Sequence, residues 1–183
     1  TPARSAWVVV GYLLVHVTQH VLTPHFHFGV ETHAEAMLDQ WVGTAALLGL
    51  LLHTFFDGVA ITSAFNVGTG LGILVFLAVF LHKVPEGVTV ASIMVMSGNG
   101  ERRALLAVAM LGASTLAGVL LTAWLAPLAQ HGLAISAGVT LYVAASNLIP
   151  EVQKEKDLIS GGAVVLGLFV YLAARLAVSG VGS

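Results

Sequence analysis

The sequence predicts an all-α fold, a polytopic transmembrane helix bundle, and three observations carry that prediction. Of 183 residues, 57% are hydrophobic and only 9% are charged, with a mean hydropathy of +0.94. A soluble domain carries about 25% charged residues to cover itself against water; this chain is covered with Leu, Val, Ala and Gly, which suits lipid. Second, six apolar segments approach the roughly 20 residues a helix needs to cross the hydrocarbon core. Third, those runs are unbroken and lack the two-residue alternation of membrane β-barrel strands.

Taken in order, the segments are about 5–23, 41–65, 71–97, 104–128, 132–150 and 158–178. The first carries His16, Gln19 and His20 on one face as it enters the longest connection, residues 24–40. The second and third are separated by Asn66-Val67-Gly68-Thr69-Gly70, the third and fourth by Ser97-Gly98-Asn99-Gly100. Both are runs of turn-forming residues. The fourth contains Gly112, Ala113, Ser114 and Gly118, small residues that let helix backbones approach closely where no hydrophobic drive exists between helices. No polar stretch is long enough to fold separately, so residues 1–183 read as one transmembrane domain.

Basic residues set the orientation. Arg102, Arg103, Lys154 and Lys156 follow the third and fifth segments, on the same side as the 24–40 loop, whereas the opposite loops, Asn66–Gly70 and Ala129–Gly132, have no Lys or Arg. The positive-inside rule makes the 24–40 loop cytoplasmic and points both chain ends outward. The expected location is the plasma (inner) membrane. The loop is rich in His and carboxylate: His25, His27, Glu31, His33 and Glu35 fall within eleven residues. It reads either as a solvated loop or as a low-affinity landing place for a metal.

The net charge of −2 comes without a basic stripe, which gives no reason to expect a nucleic-acid partner. The absence of Cys excludes disulfides, thiolate metal sites and a cysteine nucleophile. No secretory signal peptide is expected, and the opening without Met at Thr1-Pro2-Ala3-Arg4 is what a piece of something longer would show.

Charge in mid-membrane needs an explanation. Asp57, Lys83 and Glu86 fall well inside apolar segments, where each costs ~2.5–3.5 kcal/mol even on the lenient insertion scale. His53 precedes Asp57, and His82 precedes Glu86, by four residues, a spacing that shares one helix face. Packed face to face, the two helices would gather two imidazoles and two carboxylates. Imidazole suits Zn, Fe, Ni and Cu, and carboxylate extends the range toward Mn and Cd. Two neutral imidazoles with two carboxylates also balance a divalent cation. The competing reading is a buried ion pair in which Lys83 neutralises one carboxylate; it leaves the two histidines unexplained. Pro85 removes a backbone hydrogen bond to the Leu81 carbonyl, so a kink is expected between His82 and Glu86. Gly58 and Gly87, each after a carboxylate, leave room for a neighbouring helix or a passing ion.

The phrase His53-Thr54-Phe55-Phe56-Asp57-Gly58-Val59-Ala60-Ile61-Thr62-Ser63-Ala64-Phe65 resembles the fourth-helix signature of the Zrt/Irt-like (ZIP) metal transporters. His82-Lys83-Val84-Pro85-Glu86-Gly87 resembles their fifth, and Gly138, Tyr142 and Asn147-Leu148-Ile149-Pro150-Glu151 are similar to their seventh. The resemblance implies a divalent metal ion transporter that moves Zn2+, or Fe2+, Mn2+ or Cd2+, into the cytosol. His53, Asp57, His82 and Glu86 would be its transport-site ligands, with no resident cofactor. It also implies rocking of one helix group against another. The family plan has eight helices, of which these six would be the third to the eighth.

Two residues depart from the family pattern. Thr54 stands where many members have Asn. Lys83 stands where members with a second, adjacent metal site have a carboxylate, so one metal site is expected here. His16, His20, His25 and His27 are auxiliary candidates along the exit. Homodimerisation is the expectation for a membrane transporter of this size. The alternative is an intramembrane zinc-dependent hydrolase, which needs three protein ligands and an open water position; the sequence lacks His-Glu-x-x-His.

Overall fold

The computed structural model describes residues 2–22, 40–149 and 158–179. Six long helices appear in it: α1 (Pro2–Leu22), α2 (Gln40–Val67), α3 (Thr69–Met96), α4 (Gly100–Trp124), α5 (Ala126–Tyr142) and α6 (Leu158–Ser179). Helix α5 runs on into a π-helical turn, Val143–Leu148. Among the described residues five stretches, in α2, α3, α4, α5 with its π-helical turn, and α6, are long and apolar enough to cross a bilayer; α1 adds 21 residues, about 30 Å at 1.5 Å per residue. The expected all-α bundle is the observed one. Of the 24–40 loop only Gln40 is described, so His25 and His27 lie outside the described residues, as do Pro150, Glu151, Lys154 and Lys156.

Helix α2 is the hub, packed against α3, α4 and α5 and touching α1, while α1 lies along α5. A core of Leu47, Val90, Met94, Ala104, Ala107 and Leu111 joins α2 to α3 and α4. A second core, Val15, Phe56, Val59, Val139 and Tyr142, joins α2 to α1 and α5. The outside of the bundle is apolar too, with Leu105 and Leu176 more than 70% exposed, and α6 is exposed along its described apolar length. Such surface is tolerable only against lipid or another protein.

Close helix contact depends on small residues. A Cβ added at Gly58 would come within 2.0 Å of the Thr115 carbonyl oxygen, and one at Gly118 within 2.0 Å of the Phe55 carbonyl oxygen. Gly11 against Ile135 and Gly138 against Val8 repeat this arrangement between α1 and α5. Hydroxyls then tie neighbouring helices to α2: Ser114 Oγ donates to the Leu51 carbonyl and Ser136 Oγ to the Phe56 carbonyl, both at 2.8 Å.

The turns place the helix ends. Gly98 and Gly100 have φ of +77° and +78°, backbone that L side chains rarely adopt. They allow the tight turn from α3 into α4. Asn99 Nδ2 donates to the Gln40 carbonyl at 3.0 Å, so the start of α2 lies at the same end of the bundle as Arg102 and Arg103. One predicted boundary was wrong. The break between α4 and α5 falls at Leu125, not at 129–131, because Pro127 begins the next helix. Proline lacks the N–H that a first turn leaves unbonded anyway, whereas the apolar run of Leu125 and Leu128 concealed the break from hydropathy.

Candidate metal centre

Only Gly68 separates α2 from α3, two helices of 28 residues each. An antiparallel hairpin with equal arms brings the midpoints of its arms to one level. His53 is midway along α2 and His82 midway along α3, and their ring centroids lie 6.0 Å apart. Asp57, one turn beyond His53, sits between them. Its Oδ1 is 3.7 Å from His53 Nε2, and His82 Nε2 donates to its Oδ2 at 3.2 Å. One ligand atom from each of His53, Asp57 and His82 falls within 4.8 Å of the others. His53 and Asp57 are only 8% and 4% exposed.

Glu86 stands beside this group of three without joining it. Lys83 Nζ donates to Asp57 Oδ2 and to Glu86 Oε2, at 2.7 Å each. The ammonium therefore bridges α2 and α3 through both carboxylates, where the sequence reading had it neutralising one. With neutral imidazoles, the five side chains sum to −1 and not the −2 expected from the carboxylates alone. Within this group two buried polar atoms, His53 Nδ1 and Glu86 Oε1, have no hydrogen-bond partner among the described residues. Imidazole nitrogen and carboxylate oxygen are the donors that borderline divalent cations take, so these residues fit such an ion.

A cavity of about 410 Å³ opens beside the group, lined by His53, His82, Pro85 and Glu86 and, across from them, by Gln19 of α1 and Thr140 of α5. Val143 and Ala144 of the π-helical turn complete that wall. π-Turns inside α-helices are common at functional sites, and no sequence signal marked this one. Helix α3 continues through Pro85 from Thr69 to Met96, and Thr89 Oγ1 donates to the Pro85 carbonyl at 2.8 Å.

The auxiliary candidates divide. Thr54 is fully buried and its hydroxyl donates to the Leu51 carbonyl at 3.0 Å, within its own helix. The rings of His16 and His20 lie with centroids 4.1 Å apart, tilted by 39°, and His16 meets Tyr142 edge-on at 5.7 Å. His20 Nδ1 lies 2.8 Å from the His16 carbonyl oxygen. Both sit on α1, away from the group of three but on the helix that contributes Gln19 to the cavity. Gly58 serves a neighbouring helix, α4, whereas a Cβ on Gly87 would meet only Val108 at 3.6 Å.

A sequence profile described as "ZIP Zinc transporter" matches residues 29–175, most of the chain. The chain belongs to the ZIP zinc transporter family. Among its ZIP relatives, human Zinc transporter SLC39A7 is 36% identical over 129 residues, which is 64% of this chain and 28% of the relative. Zinc transporter ZIP9-B of Xenopus laevis is 28% identical over 159 residues, 79% of this chain and 51% of the relative. Human Zinc transporter ZIP6 is 30% identical over 137 residues, 70% of this chain and 18% of the relative. The chain thus spans about half or less of the curated ZIP relatives it matches. No solved structure matches it. The family and its members are named as transporters, not enzymes, so the hydrolase alternative is not favoured.

Proposed function

We propose that this ZIP chain builds the ion pathway of a transporter that carries a divalent cation, Zn2+ first, across the bilayer into the cytosol. The observation that supports it is the His53–Asp57–His82 group, with His53 and Asp57 buried and His82 partly exposed, halfway along two apolar helices and beside the cavity. Lipid penalises such groups, and a dehydrated cation matched by nitrogen and oxygen donors offsets that cost. His53, Asp57 and His82 hold the ion, and Glu86 is the next donor along the cavity wall. The ion then leaves toward the histidines of α1 and of the 24–40 loop, His16, His20, His25 and His27. Fe2+, Mn2+ and Cd2+ take the same donor types, and the plasma (inner) membrane, with the 24–40 loop facing the cytosol, is the proposed setting.

Flux into sealed proteoliposomes loaded with a Zn2+-sensitive dye tests the reading. The native chain admits Zn2+, whereas His53→Ala and Asp57→Ala do not, despite unchanged helical circular dichroism. Native-level flux in both variants would remove the assignment.

A further inference from the structure

The group of residues that is meant to hold a cation already holds one. Lys83 Nζ lies 2.7 Å from Asp57 Oδ2, the same oxygen that His82 Nε2 approaches at 3.2 Å. An ion bound by His53, Asp57 and His82 would have its carboxylate donor in this position. The ammonium and a divalent ion cannot share Asp57 Oδ2 at bonding distance without two positive charges meeting in a buried space. Lys83 has somewhere else to stay, because Glu86 Oε2 also accepts from it at 2.7 Å, one helical turn away on α3. Its flexible four-carbon stem permits a small swing with the charge retained.

We propose that Lys83 is a tethered competitor cation: an entering divalent ion displaces its ammonium from Asp57, and Lys83 retreats onto Glu86. Lys83 thereby limits the site to one ion and weakens it. The site carries −1 when empty and +1 when loaded, where without Lys83 it would go from −2 to neutral. A single charge within ~4–6 Å changes a carboxylate's affinity for a proton by about 10- to 1000-fold; a divalent ion feels the same charge twice. When the ion leaves, the ammonium returns to Asp57, so the emptied site never bears two unpaired carboxylates in mid-membrane. The competing account, in which Lys83 only glues α2 to α3, predicts no effect on metal affinity beyond a loss of stability. The inference rests on the transport reading and adds a specificity-determining residue to it.

The test is Zn2+ titration calorimetry of the full chain in lipid nanodiscs, with thermal unfolding followed in parallel. Native protein is expected to bind one ion. Lys83→Gln is expected to bind the first ion about tenfold or more tightly, and Lys83→Arg, which keeps the charge, to stay close to native. Zn2+ release from Lys83→Gln is expected to slow as its affinity rises. In the native chain, solid-state NMR should show the Lys83 Nζ to Asp57 carboxylate contact vanish on saturation with Cd2+, while the Glu86 contact persists. This measurement needs no variant and so survives a misfolded one. Unchanged affinity in folded Lys83→Gln, or an Asp57 contact that survives saturation, overturns the inference and leaves the metal site standing. A native chain that binds no ion overturns both.

Discussion

Gly58 of α2 lies so close to Thr115 of α4 that a Cβ on the glycine would come within 2.0 Å of the Thr115 carbonyl oxygen. The glycine immediately follows Asp57, so the spacing of these two helices also sets where the carboxylate stands. Backbone cannot yield as a flexible side chain can. Gly58→Ala is therefore expected to push α2 from α4, costing about 1–3 kcal/mol as overpacking does. Its thermal midpoint in nanodiscs should fall by several degrees and its Zn2+ affinity with it. An unshifted midpoint would mean that the helices part without penalty.

Zn2+ binding itself should be visible as stability. A ligand at 100 times its dissociation constant stabilises the folded state by about 2.7 kcal/mol. Excess Zn2+ is expected to raise the midpoint of the native protein, and EDTA to reverse the rise. In His82→Ala, which removes one donor from the group of three, and Asp57→Asn, which removes the charge of another, the increment should disappear. A Zn2+-dependent rise that persists in both variants would locate the ion elsewhere.

Ser136 of α5 donates to the Phe56 carbonyl of α2 at 2.8 Å and is 3% exposed. Removing the hydroxyl deletes one buried hydrogen bond, worth about 0.5–1.5 kcal/mol, while the carbonyl, mid-helix in α2, keeps its backbone partner. Ser136→Ala should lower the thermal midpoint, with Zn2+ stoichiometry unaltered because no ligand is touched. Hydrogen exchange of the amides around Phe56 reports the same loss locally.

The turn between α3 and α4 offers a control remote from the ion. Gly98 has φ of +77°, and a left-handed backbone costs roughly 1–2 kcal/mol for a residue with a Cβ. Gly98→Val is expected to destabilise the bundle by about that much or more, while Zn2+ affinity of the folded protein stays within about twofold of native. A selective loss of affinity would tie this turn to the site.

Much of the site was legible because the membrane makes charge conspicuous. Asp57, Lys83 and Glu86 stand out against apolar neighbours, and the four-residue spacing shows that His53 shares a face with Asp57. That spacing says nothing about how α3 is rotated against α2. In the structure the rotation presents His82 to Asp57 and leaves Glu86 one step aside, reached through Lys83. Lys83 was recognised as anomalous, yet its hold on both carboxylates depends on where a long, flexible stem ends. The opposite wall of the cavity, Gln19 with the π-helical turn, belongs to helices far away in the chain. Nothing local announced that they would meet.

Apolar run lengths, scarce charge and the lack of alternation were enough to determine an all-helical membrane bundle with His53 and Asp57 at its middle, because hydration costs act on each segment independently of its neighbours. Only tertiary structure decided that the Lys83 ammonium lies between Asp57 and Glu86. That outcome depends on the register and rotation of α3 against α2, which follow from the single-residue connection at Gly68 and from packing such as Leu47 against Val90 and Met94, and not on the composition of either helix alone.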